Sequence, residues 1–122
     1  MSARKADRSA EEFLPLSEVT FQVLLALIDR ERHGYGIMHE VEIRTAGRVR
    51  LGAGTLYGAL KRLVGDGLVE EAGERSESSD DERRRYYRLL PLGRAVARAE
   101  ARRLASAVRL ARDLRLISPE VA

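Results

Sequence analysis

Nine positions along this chain suit contact with a polyanion better than any bond-making chemistry. Thr55, Tyr57, Gly58, Lys61 and Arg62 fall within one short stretch, Arg50 lies just ahead of it, and Arg83, Arg84 and Arg85 follow further on. The guanidinium fork of arginine meets two phosphate oxygens at once, lysine offers a point charge, hydroxyls add donors, and a glycine lets a backbone approach closely. Two adjacent cations on one helix are ordinarily just a solvated face. Here they are bracketed, by Arg48 and Arg50 on one side and by Arg83, Arg84, Arg85 and Arg88 on the other, which is the pattern of a phosphate-binding surface. Against it stand Glu70, Glu71, Glu74, Glu77, Asp80, Asp81 and Glu82, which would repel phosphate if all of them faced it.

Catalytic constellations do not assemble. The chain has no cysteine, which removes thiolate nucleophiles, disulfides and thiolate metal sites together. Its two histidines, His33 and His39, are not one helical turn apart, and Glu40 and Glu42 fall on a face expected to be solvated, so no metal site is expected. Gly52 and Gly54 precede a helix but lack the lysine and hydroxyl order of a nucleotide-binding loop. No nucleophile lies beside a base, so the expectation is a non-enzyme without a cofactor.

Holding the cations in place requires helices whose apolar residues recur at helical spacing. Ser17 can cap a first helix carrying Val19, Val23, Leu24, Leu27 and Ile28 on one stripe, with Phe21 and Leu25 off it, and Gly34 is expected to end it. A second helix runs from Tyr35 or Gly36 to about Thr45, with Ile37, Met38 and Val41 inward, and Arg48 to Leu51 alternates like a brief extended segment. From Thr55 to Asp66 a third helix puts Leu56, Ala59, Leu60, Leu63 and Val64 on one arc and the candidate polar groups opposite. Leu68 to Ala72 and Arg84 to Leu90 read as the strands of a hairpin around the polar stretch Gly73 to Arg83, with one of Tyr86 and Tyr87 facing inward. Pro91 opens a last helix reaching about Ile117.

That last helix is longer than one small domain needs. Its stripe of Leu92, Val96, Ala99, Ala107, Leu110, Leu114 and Ile117 is widened by Leu104, Val108 and Ala111, with Arg94, Arg98, Arg102, Arg109 and Arg112 on the far side. Part of the apolar face therefore lacks a partner in its own chain. The expected partner is a second copy, meeting at Phe21, Leu25, Val96, Leu104, Ala107, Leu110, Leu114 and Ile117.

The whole is mainly α with a small β-hairpin, a winged helix-turn-helix plus a long C-terminal helix. Residues 1–14 read as a flexible tail, 15–91 as the winged-helix domain and 92–118 as the dimerisation helix; 122 residues suit one core. Twenty arginines against two lysines favour phosphate, though such a composition also follows from genomic base content. The longest apolar run, Val23 to Ile28, is far below the roughly 20 residues that cross a bilayer, and no secretory signal is recognisable, so a cytoplasmic location is expected. The expected function is a homodimeric reader of duplex DNA. The alternative is a winged-helix protein-interaction or anti-repressor module, for which the acidic hairpin speaks.

Four pieces in order carry a resemblance. His33-Gly34-Tyr35-Gly36, then Gly54-Thr55-Leu56-Tyr57 with Leu60, Arg62 and Leu63, then Gly67-Leu68-Val69, then Arg84-Arg85-Tyr86-Tyr87-Arg88-Leu89 with Gly93, resemble the PadR family of bacterial transcriptional regulators, in its smaller branch with a single short C-terminal helix. The resemblance spans about Leu16 to Ile117. It implies a winged-helix dimer held by the C-terminal helix and the first helix, usually a repressor released by a small-molecule effector or stress signal. By position it puts Thr55, Tyr57, Lys61 and Arg62 at DNA and Arg84 or Arg85 on the wing. The chain departs from the family pattern at Gly36, at Leu89-Leu90 and in its acidic wing. With no Trp and six scattered aromatic residues, a wide aromatic-lined effector cavity is not indicated.

Overall fold

The computed structural model describes residues 8–76 and 83–118. Glu77, Asp80, Asp81 and Glu82 of the hairpin, and the first half of the expected tail, lie outside the described residues. A 3-10 turn at Ala10–Phe13 leads to α1, Glu18–Ala26, which is followed by β1, Arg32–His33, and α2, Gly34–Arg44. Then come α3, Ala53–Gly65, strands β2, Val69–Ser76, and β3, Arg83–Leu89, and α4, Pro91–Asp113. The three strands form an antiparallel sheet in the order β1-β3-β2.

Local chemistry explains most boundaries. The Ser17 hydroxyl accepts the Thr20 amide at 3.1 Å and starts α1. The helix stops at Ala26, well before Gly34, and arginines from elsewhere in the chain take its last carbonyls. Arg32 Nε donates to the Ala26 carbonyl at 2.7 Å and Arg44 to that of Leu25 at 3.0 Å, while Arg94 reaches that of Ile28, two residues beyond the helix, at 3.1 Å. Cations at a helix C-terminus also complement its dipole. The chain freed by this early stop supplies β1, which pairs Arg32 with Tyr87 and His33 with Tyr86. Gly34, expected as a stop, is instead the first residue of α2, and His33 caps that helix by accepting the Gly36 amide on Nδ1 at 3.0 Å.

Arg48 to Leu51 is not a strand: it follows a turn at Thr45 to Gly47, where the Thr45 hydroxyl donates to the Val41 carbonyl at 2.8 Å and accepts the Val49 amide at 3.0 Å. At the end of α3 the Leu68 amide reaches the Leu63 carbonyl at 3.0 Å around Gly67, whose φ of +79° belongs to glycine. The core joins Val23, Leu24, Ile37, Val41, Leu56, Leu60, Leu63, Leu68, Val69 and Val96. Ala10, Phe13 and Leu14, placed by sequence in a mobile tail, pack on that core. Gly93 is required where α4 crosses the start of β2, because a Cβ there would sit 2.1 Å from the Leu68 carbonyl oxygen.

Two details of α4 correct the sequence reading. Val96 is fully buried in its own chain, so it belongs to the intrachain core and not to a seam between subunits. The helix ends at Asp113, where Arg115 takes a φ of +63° and the Leu116 amide turns back to the Ala111 carbonyl at 2.8 Å, leaving Ile117 outside it. Up to Glu100 one face of α4 is buried; from Ala101 to Leu114 no residue is, and Leu104, Ala107, Leu110 and Leu114 are exposed. Phe21 lines a groove of about 420 Å³ against Leu104 and Val108, and Leu25 is half-buried on the same helix. Arg109 and Arg112 also line this groove and so do not lie on its far side.

Candidate nucleic-acid interface

The separation of faces on α3 follows from its sequence. Leu56, Ala59, Leu60 and Leu63 turn into the core, which leaves Thr55, Tyr57, Lys61 and Arg62 exposed and Gly58 half-buried. Tyr57 leans toward the start of α2, where its hydroxyl fills the place a side chain at position 34 would need: a Cβ on Gly34 would come within 2.1 Å of it. Among the described residues neither Lys61 nor Arg62 forms an ion pair.

The hairpin is arranged differently. Alternation along β3 sends Arg85 and Tyr87 toward α3 and Arg84 and Tyr86 to the opposite face of the sheet. Tyr57, Lys61, Arg85 and Tyr87 line a cleft of about 280 Å³ between α3 and the hairpin, with Leu60 and Val64 at its floor and Glu71 at its rim. Glu71 and Glu74 lie 3.6 and 3.7 Å from the Arg85 guanidinium. Arg83 pairs with Glu74 at 3.7 Å, and Arg88 with Glu70 at 2.7 Å and Glu31 at 2.9 Å. Arg75 also contacts Glu31. Electrostatics follow this pairing: Glu71, and then the Tyr87 phenol, raise Arg85 above its ordinary pKa, and hydrogen bonds from Arg75 and Arg88 help hold Glu31 below the usual carboxylate range. Burial pushes the Tyr87 phenol up.

Both tyrosines of the hairpin are buried, where alternation alone had promised one. Tyr87 enters the helical core, while Tyr86, on the other face, is covered by the His33 ring edge-on at 5.2 Å and by the Arg75 guanidinium at 4.2 Å. The Arg84 guanidinium lies 5.0 Å from the ring of Tyr35, an exposed residue of α2 that is not among the nine candidate positions. Arg50 is well exposed and paired at 3.8 Å with Glu42. The structure therefore brings Tyr57, Lys61 and Arg85 onto one cleft and sets Arg84 apart from it. The role of the glutamates was not readable because the strand register shifts between Glu71 and Glu74, around Gly73 at φ +96°.

Among the described residues no group of three or more His, Asp and Glu could hold a metal ion, and no helix is long and apolar enough to cross a membrane.

Known proteins share parts of this sequence and its fold. The chain is 32% identical over 73 residues to an uncharacterised protein of Lysinibacillus sphaericus, a match spanning 60% of this chain and 65% of that protein. It is 41% identical over 83 residues, 68% of this chain, to a 37.1 kDa transposon protein of Streptomyces fradiae, of which it spans only 22%. Among solved structures, a transcriptional regulator from Clostridium thermocellum superposes with a TM-score of 0.66 at 25% identity, over 78% of this chain and 90% of the other. Bacillus subtilis PadR, solved in complex with operator DNA, does so with a TM-score of 0.60 at 17% identity, over 68% of this chain and 47% of the other, a likeness of fold. The model of the transcriptional regulator PadR-like family matches residues 23–99, from the middle of α1 to the first part of α4, and includes α3 and the hairpin whole. On that match the chain belongs to the PadR-like family, a family of transcriptional regulators and not of enzymes.

Proposed function

We propose that this chain binds duplex DNA as a homodimer and regulates transcription by occupying an inverted-repeat operator. In this reading α3 of each protomer enters the major groove, with Thr55 and Tyr57 at base edges or sugars and Lys61 and Arg62 on flanking phosphates. The observation that carries it is the pair Lys61 and Arg62, exposed side by side and engaged by no carboxylate among the described residues. A cation without an internal partner breaks no ion pair when it meets a phosphate, and each such contact releases counterions. The likeness in fold to a regulator solved on its operator supports the same use here.

Dimerisation draws on the uncovered second half of α4, where Leu104, Ala107, Leu110 and Leu114 continue an otherwise buried stripe beside Phe21 and Leu25 of α1. Two α3 helices held about one helical turn apart read two half-sites, and occupancy of such a site represses. A small amphipathic effector would find apolar walls and the arginines Arg109 and Arg112 in the groove at this seam, and would act by biasing the spacing of the two α3 helices. A cytoplasmic location goes with this role.

Selection of bound sequences from random duplex DNA, repeated at two salt concentrations, tests the reading. It expects an inverted repeat and an affinity that falls steeply with salt. Leu110→Arg should give monomers in sedimentation and weaken DNA binding with them. The acidic hairpin favours a second reading, a protein-interaction module, and indifference to duplex DNA even in dilute buffer would decide for it.

A further inference from the structure

The cleft between α3 and the hairpin holds two kinds of cation. Lys61, on the helix side, has no ion pair among the described residues, whereas Arg85, on the hairpin side, is held by Glu71 at 3.6 Å and Glu74 at 3.7 Å. All three hairpin side chains are about half exposed, so these pairs form in water, where an ion pair contributes little and exchanges readily. A carboxylate offers a guanidinium the same planar pair of oxygens that a phosphodiester does.

We infer that Glu71 and Glu74 act as built-in phosphate mimics, occupying Arg85 in the free protein and surrendering it to a backbone phosphate only when a duplex is seated against α3. The inference rests on the DNA-binding reading above. Its consequence is a damped wing. Phosphate contacts carry no sequence information, so an arginine that must first leave two carboxylates adds less to binding at any duplex than a free one would. The glutamates thus lower background affinity for the bulk of DNA while α3 keeps its own contacts. They are positioning residues, acting on DNA through Arg85.

The test uses the full chain and a random-sequence duplex of about 30 base pairs, long enough for two half-sites. The double variant Glu71→Gln with Glu74→Gln keeps side-chain shape and removes both charges, and the exposure of both sites lets thermal unfolding verify an intact fold. It should bind several-fold more tightly than wild type, with a salt slope steeper by about one unit for each Arg85 newly engaged. Arg85→Ala should weaken binding in the wild type and weaken it several-fold more in the glutamine background, cancelling the gain there, a non-additivity that a general change of field would not produce. Unchanged affinity and slope in the glutamine variant, with a wild type that binds, overturn the mimicry and leave the DNA reading intact. A gain that survives Arg85→Ala overturns it as well. A wild type that ignores the duplex even in dilute buffer overturns both.

Discussion

On α3, Lys61 and Arg62 stand exposed with no carboxylate partner among the described residues; on the hairpin, Arg83, Arg85 and Arg88 lie 3.7, 3.6 and 2.7 Å from glutamates of the neighbouring strand. By count the hairpin is the richer in arginine, with five between Val69 and Leu89, yet seven acidic residues in the same span outnumber them. On α3 there are two cations and no acid. On the proposed DNA-binding reading, what marks a phosphate-binding surface is the state of its cations, not their number. An arginine already satisfied must give up one anion to take another, and only the difference reaches the affinity.

Removing the unpaired cations should have the largest effect on DNA binding. Lys61→Ala with Arg62→Ala should weaken duplex binding by about 10- to 100-fold and flatten the salt slope by roughly one unit per lost contact, read by titration at several salt concentrations. If alanines at Arg83 and Arg85 cost as much, pairing does not matter and the contrast between the two regions fails.

An ion pair built on a buried carboxylate extends the contrast to α4. Glu100 is 2% exposed and takes Arg103 in two hydrogen bonds of 2.7 and 3.0 Å. The Arg103 hydrogen bonds outweigh burial, and with the Leu16 amide they hold this carboxyl below its ordinary value. A depressed carboxylate adds stability above its unfolded pKa of about 4.3 and loses it as pH falls through the lower folded value. Glu100→Gln should therefore cost about 1–2 kcal/mol near neutral pH, and the gap from wild type should narrow in thermal melts as pH falls below the ordinary carboxylate range. Duplex affinity should not follow, since neither residue lines the cleft between α3 and the hairpin.

The smallest effect is expected at the junction of the two regions. Gly34→Ala meets only the tip of the exposed Tyr57 side chain, so stability should change by less than about 0.5 kcal/mol, while the displaced phenol shifts DNA affinity by about twofold. A large loss of stability would mean that Tyr57 is a fixed strut between α3 and α2 and not an adaptable contact.

Much of this was legible beforehand. Helical spacing alone separated Leu56, Leu60 and Leu63 from Thr55, Lys61 and Arg62, because the faces of a helix are set by its 3.6-residue period and need no knowledge of partners. The motif order placed the helices and the hairpin, and the family match extends over residues 23–99. The end of α1 was not legible. A periodic run from Val19 to Ile28 gives no sign that Arg32, Arg44 and Arg94 will meet the carbonyls at its end, the last from 66 residues away. Strand β1 was missed for the same reason, since two residues become a strand only when β3 lies beside them.

By itself the order of residues determined the elements whose signals are local: the period of α3, the cap at Ser17, the glycine stop at Gly67, the proline that opens α4. Tertiary structure alone decided which charges are spent. Whether an arginine is bound or available depends on strand register, on a one-residue shift at Gly73 and on arginines brought back from distant helices, and these are distances in space that no spacing along a chain encodes.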